Sequence, residues 1–137
     1  MKIQNSERLA RTSAFIAALI MLQTLYFKFT AAEESVYIFT RLGVEPLGRI
    51  SSGVLELISS VLLVLPKSRF YGAVLGAVIM LGALMTHLFI IGISVDNDGG
   101  YLFVLCIIVL VSCLLCVIID SKIKNKRGEF NKYKGYR

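Results

Sequence analysis

Four long apolar runs constrain this chain more than any other feature: residues 13–29, 47–65, 70–93 and 101–119. An α-helix rises about 1.5 Å per residue and a bilayer's hydrocarbon core is about 30 Å thick, so roughly 20 apolar residues are needed to cross it. Each run meets or nearly meets that length. Hydrophobic residues make up 56% of the 137 and the mean hydropathy is +0.74, more apolar surface than the core of a water-soluble domain of this size can hide. The expected class is all-α: a transmembrane up-down-up-down four-helix bundle.

The first run follows Arg8 and Arg11 in the manner of a secretory signal. It continues into Tyr26-Phe27-Lys28-Phe29 without a clean small-residue cleavage site, and three further runs follow, so it is expected to be retained as the first span. Lys and Arg then set orientation. Lys2, Arg8, Arg11, Lys67, Arg69 and the tail residues Lys122, Lys124, Lys126, Arg127, Lys132, Lys134 and Arg137 would share one side, against Lys28, Arg41 and Arg49 on the other. By the positive-inside rule both termini are expected in the cytoplasm, in a bacterial inner membrane. The tail, residues 121–137, mixes these cations with Phe130, Tyr133 and Tyr136. Directly after a membrane helix such a pattern fits anionic headgroups and docking of a protein partner better than nucleic acid.

Between the first two runs, Thr30-Ala31-Ala32-Glu33 has capping-box spacing, residues 31–42 favour helix, and Gly43 is a natural stop. A short helix at the outer interface is expected, either as a plain connector or as a lid over an outward cavity. Pro66-Lys67-Ser68-Arg69 and residues 94–100 read as tight turns. Gly72, Ala73, Gly76 and Ala77 repeat at four-residue spacing, which suits close helix packing.

Polar residues inside the apolar runs mark where function would sit, because a charge at the bilayer centre is unfavourable by at least ~2.5–3.5 kcal/mol. Glu56 falls at the middle of the second run. Arg49 lies seven residues earlier, about two turns away on the same face. His87 falls roughly 8 Å to the outer side of the third helix's centre, and Gln23 and Lys28 lie in the outer half of the first. The expectation is one outward cavity bordered by Gln23, Lys28, Arg49, Glu56 and His87, with Glu56 neutral or paired to Lys28 or Arg49. Each residue also has a plain structural role open to it. Glu56 could tie helices together through a cation, His87 and Gln23 could bond neighbouring helices, and Lys28 and Arg49 could snorkel to headgroups. Their common depth is what favours a ligand.

Cys113 and Cys116 have C-x-x-C spacing, with Cys106 two turns before. They fall in the inner half of the last run, where cysteine commonly serves as a small apolar residue. A single His cannot by itself build a typical zinc site, so no metal is expected. Phosphate-binding loops and serine elbows are not evident.

Several short motifs occur in one order: Phe27-Lys28, then Leu42-Gly43-Val44-Glu45-Pro46, then Gly53-Val54-Leu55-Glu56-Leu57 with an apolar run to Leu65-Pro66, then Leu81-Gly82-Ala83 and Thr86-His87-Leu88. This order resembles the DoxX-like family of small four-helix membrane proteins, over about residues 13–119. The family's naming member is a membrane subunit of a thiosulfate:quinone oxidoreductase, and the family is similar in layout to methylamine-utilisation and vitamin K epoxide reductase-type membrane proteins. The resemblance implies that Lys28, Glu56 and His87 occupy the family's polar positions. The outward dithiols of the epoxide-reductase type are missing here. On this reading the cavity would take a small polar or quinone-like ligand, with Lys28, Arg49 and His87 donating to quinone carbonyls and Glu56 positioning them or taking a proton. The competing expectation is a scaffolding subunit whose Glu56 ion pair only holds the bundle. Transport by four spans would need an oligomer.

Overall fold

The computed structural model describes the backbone of residues 2–134 and the side chains of residues 4–126. It is helical, with no strand among the described residues: α1 (Lys2–Phe29), α2 (Glu33–Arg41), α3 (Leu47–Val64), α4 (Arg69–Thr86), continued by a π-helical turn (His87–Ile91), and α5 (Tyr101–Lys134). Four stretches are long and apolar enough to cross a membrane, Gln4–Phe29, Leu47–Val64, Arg69–Ile91 and Tyr101–Lys126, which makes this a membrane-integral protein. The tail side chains Arg127, Phe130, Lys132, Tyr133 and Lys134, with Tyr136 and Arg137, lie outside the described residues.

The long helices form a ring in which α1 and α4 each pack against both α3 and α5. Large apolar side chains point outward, Phe89 and Val78 among them, while Ala14, Ala17, Ala18, Ala73, Cys113 and Cys116 fill the core with Met21 and Leu63. That inversion of the usual soluble pattern suits lipid, which solvates large apolar side chains and leaves helices to associate through close packing of small ones. Gly72 shows the constraint: a Cβ there would stand 2.6 Å from the Leu63 backbone nitrogen. At Gly76 it would stand 2.8 Å from Cys113 Sγ and 2.9 Å from Ser59 Oγ. The Ser59 hydroxyl donates across the same seam to the Gly72 carbonyl at 2.9 Å. The four-residue small-residue spacing therefore serves packing, as expected.

Several expected boundaries move. α1 begins well before residue 13 and α5 runs without a break past residue 119, so span and tail share one helix of 34 residues, about 51 Å long. No capping box forms. Ala32 is the cap of α2 and makes no side-chain bond there, while the Thr30 hydroxyl turns back to the Tyr26 carbonyl at 2.6 Å and closes α1. A threonine within reach of its own helix's carbonyls satisfies that end instead of starting the next helix. Between the π turn and α5, Asp98 gathers the backbone N–H groups of Val95 (2.9 Å), Gly100 (2.8 Å) and Leu102 (2.9 Å), so one carboxylate both shapes the turn and caps α5. Partial burial pushes the Asp98 carboxyl up, but those three donors outweigh it and hold it below its ordinary range.

Candidate functional site

Glu56 sits on the buried face of α3 with Arg49, Gly53, Ser59 and Ser60. At 3.6 residues per turn these positions return to one stripe, so a single face carries Arg49, Glu56, Ser59 and Ser60. The last turn of α1 lies opposite. There Lys28 Nζ donates to Glu56 Oε1 at 2.7 Å and Oε2 at 2.6 Å, and the Thr24 hydroxyl lies 3.0 Å from Oε2. Thr24 and Lys28 are four residues apart and share the face of α1 that meets Glu56. The pair is well shielded, with side-chain exposures of 15% for Lys28 and 4% for Glu56, so the attraction acts in a weakly screened setting.

Arg49 is buried next to this pair but does not join it. Its guanidinium holds Glu45 (Nε to Oε1, 2.8 Å) and donates through NH1 to the Lys28 backbone carbonyl. It thus satisfies one of the carbonyls that α1 leaves open at its C-terminus, where a cation is favoured. The ion pair, the Arg49 clamp and the α1–α3 seam meet at one end of the bundle.

At that end a cavity of about 310 Å³ opens between α1, α3, α4 and α5. Its walls are largely apolar, including Ile20, Met21, Ile79, Met80 and Val109. Thr24, Lys28, Ser52, Glu56, Thr86 and His87 supply its polar side chains. Ile38 and Phe39 of α2, and Leu42 just after it, also border it, so the short helix covers part of the opening. An apolar hollow with a few convergent polar groups is the usual form of a small-molecule site.

His87 reaches this cavity through the π turn. A wide turn adds a residue to the helix and re-aims its side chains, and Gly92, at φ +86°, ends it. The His87 ring packs edge-on against Phe103 at 5.6 Å, and Nδ1 lies 3.0 Å from the Gly92 carbonyl. A carbonyl can only accept, so Nδ1 carries the hydrogen, and in the neutral ring Nε2 is left as an acceptor.

Of the five residues expected at the site, Lys28, Glu56 and His87 line the cavity and Arg49 braces it from behind. Gln23 does not belong: it is exposed on the outside of α1. Five residues separate it from Lys28, which places it about 140° around the helix, so equal depth did not mean equal face. Thr24 is not singled out from sequence, and Ser52, Thr86 and Cys106 are not placed at the site there, although all four border the cavity. The i,i+4 relation of Thr24 to Lys28 is the signal that points to the first of them.

A second polar cluster occupies the opposite end. Arg69 at the start of α4 makes a two-point contact with Asp120 of α5 (2.9 and 2.5 Å) and reaches Glu7 of α1 at 3.0 Å. From sequence Arg69 marks only orientation and a turn, because its partners lie 51 and 62 residues away. The cysteines are free and buried. Cys113 faces Gly76, Cys116 donates to the Ala10 carbonyl at 3.2 Å, and Cys106 donates to the Met80 carbonyl at 3.2 Å. Among the described residues no three His, Cys, Asp or Glu side chains gather as a metal site requires. No family model, curated protein or solved structure matches this chain.

Proposed function

We propose that this protein is a DoxX-like integral membrane protein whose cavity holds a small quinone-type ligand as an accessory component of a membrane redox system. The observation that carries the reading is the coincidence of an apolar cavity of about 310 Å³ with the buried Lys28–Glu56 pair and His87 on its wall. A quinone head offers a flat apolar ring with polar atoms at its two ends, and such a cavity matches both parts.

In this reading the four long helices run up, down, up and down across a bacterial inner membrane with both termini in the cytoplasm. The cavity then opens outward and α2 lies at the outer interface as its cover. Two contacts support the alternation: the end of α1 meets the first turn of α3 through the Lys28 carbonyl and Arg49, and the start of α4 meets α5 through Arg69 and Asp120, just past the end of its apolar run. Lys122, Lys124 and Lys126 are exposed at the far end, where headgroups or a cytoplasmic partner would meet them.

One observation favours a second reading, a scaffolding subunit without a small ligand. Both Glu56 oxygens are already engaged by Lys28, with Thr24 beside them, so the pair needs no ligand to be satisfied. Mass spectrometry of small molecules released from the protein purified in mild detergent separates the two. A quinone present in the wild type and lost from a folded Glu56→Gln variant is the expected result. A wild type without any bound small molecule, beside a destabilised variant, would give the scaffold the better case.

A further inference from the structure

The hydrogens of the cavity's polar side chains are almost all committed elsewhere. The Ser52 hydroxyl donates to the Arg49 carbonyl at 3.0 Å, Thr86 to the Gly82 carbonyl at 3.0 Å, and the Cys106 thiol to Met80. Thr24 has one hydroxyl hydrogen and two acceptors for it, the Met21 carbonyl at 2.8 Å and Glu56. Two of the three Lys28 hydrogens go to Glu56. In its neutral form His87 spends its one ring hydrogen on Gly92. What remains toward the cavity is acceptor capacity: hydroxyl lone pairs, carboxylate lone pairs and His87 Nε2, against a single ammonium hydrogen on Lys28.

Nε2 has no hydrogen-bond partner among the described residues, yet no fully buried side-chain nitrogen or oxygen there is left unpartnered. Nε2 is therefore reached from open space, and the space that His87 borders is the cavity. Placing a quinone carbonyl against it would set two acceptors face to face, whereas a hydroxyl would donate to it. Sites built around one hydrogen bond reject ligands that cannot complete it, because the protein group is then stranded without water.

We propose that the cavity selects the reduced, hydrogen-bond-donating member of a quinone couple, the hydroquinone, with His87 Nε2 as the acceptor that sets this preference. This rests on the quinone-type reading above and adds the oxidation state that the site retains. It also reverses the roles expected from sequence. Arg49 is turned away from the cavity, His87 accepts, and Lys28 alone is left to donate.

The test is anaerobic equilibrium dialysis of the full chain in mild detergent, against matched empty micelles, using a short-tailed alkyl benzoquinone and its hydroquinone as probes. The hydroquinone is expected to bind at least about tenfold more tightly, which would raise the midpoint potential of the bound two-electron couple by about 30 mV. His87→Phe, which keeps an aromatic ring but removes the acceptor, should abolish the preference by weakening hydroquinone binding at least about tenfold. Equal binding of the two forms, or tighter quinone binding, overturns the inference and leaves the quinone site standing. Binding of neither form above the micelle control overturns both. Retention of the tenfold preference in folded His87→Phe removes His87 from the role. The wild-type ratio decides the main point even if that variant does not fold.

Discussion

The two ends of the bundle each bury ions in an apolar setting, yet they are built differently. At one end Arg69 is gripped by Asp120 and Glu7, with the Cys116–Ala10 contact and the Gly72 and Gly76 seams closing the core nearby. At the other end Lys28 and Glu56 stand on the wall of a cavity. The contrast separates a charge cluster that only joins helices from one that also faces a space a ligand can enter. A buried ion pair adds little by itself, but removing one partner from a closed site strands the other.

The largest effect is expected at the closed end. Arg69→Met leaves two carboxylates without their cation and should cost about 3–5 kcal/mol, read as a lower melting temperature in detergent. Glu56→Gln strands one ammonium on the wall of an open cavity, and about 2 kcal/mol is expected. If Glu56→Gln proves as damaging as Arg69→Met in the same melts, the distinction between a closed and an open end fails.

Packing offers a second way to sharpen the comparison. Gly76→Ala drives a methyl into Cys113 and Ser59 and should cost about 1–3 kcal/mol, because a close-packed seam cannot absorb it. Gly82 borders the cavity, and a Cβ there meets nothing within 4 Å. Gly82→Ala should be neutral or stabilising by up to about 1 kcal/mol through helix propensity. Urea or thermal unfolding of both variants checks the opposite signs.

The smallest effect lies in the turn that supports His87. Asp98→Ala removes the cap of α5 and should cost about 1 kcal/mol. The Asp98 carboxyl is held below its ordinary range, so its contribution is complete above the ordinary carboxylate pKa and is lost as pH falls through the lowered value. Melts of wild type and variant should therefore converge on acidification. A gap that widens in acid would contradict the arrangement of amides around this carboxylate.

Much of the scaffold was legible from residues alone. Hydropathy runs located the long helices, Gly72 and Gly76 announced a close seam, and Glu56 stood out because a carboxylate is expensive within an apolar run. The site was legible in depth but not in direction. Gln23, Lys28 and His87 were grouped by distance along their helices, and only Lys28 and His87 face the cavity. The π turn left no mark in the hydropathy pattern, although it sets how His87 meets Gly92. Thr30 and Glu33 had capping-box spacing, yet Thr30 found a nearer carbonyl in its own helix.

What the sequence determined by itself is the solvent and the architecture class: four runs too apolar for water must satisfy their backbone within helices and bury their few charges against one another. Which charges meet was decided only by the tertiary structure. Lys28 and Arg49 were equal candidates for Glu56 on the page, and helix rotation gave Glu56 to Lys28 and turned Arg49 to Glu45 and the end of α1. Arg69 found Asp120 and Glu7 across the bundle in the same way. Hydrophobicity is a property of each residue and sums along the chain, whereas an ion pair depends on angles and distances between segments that sequence separation does not encode.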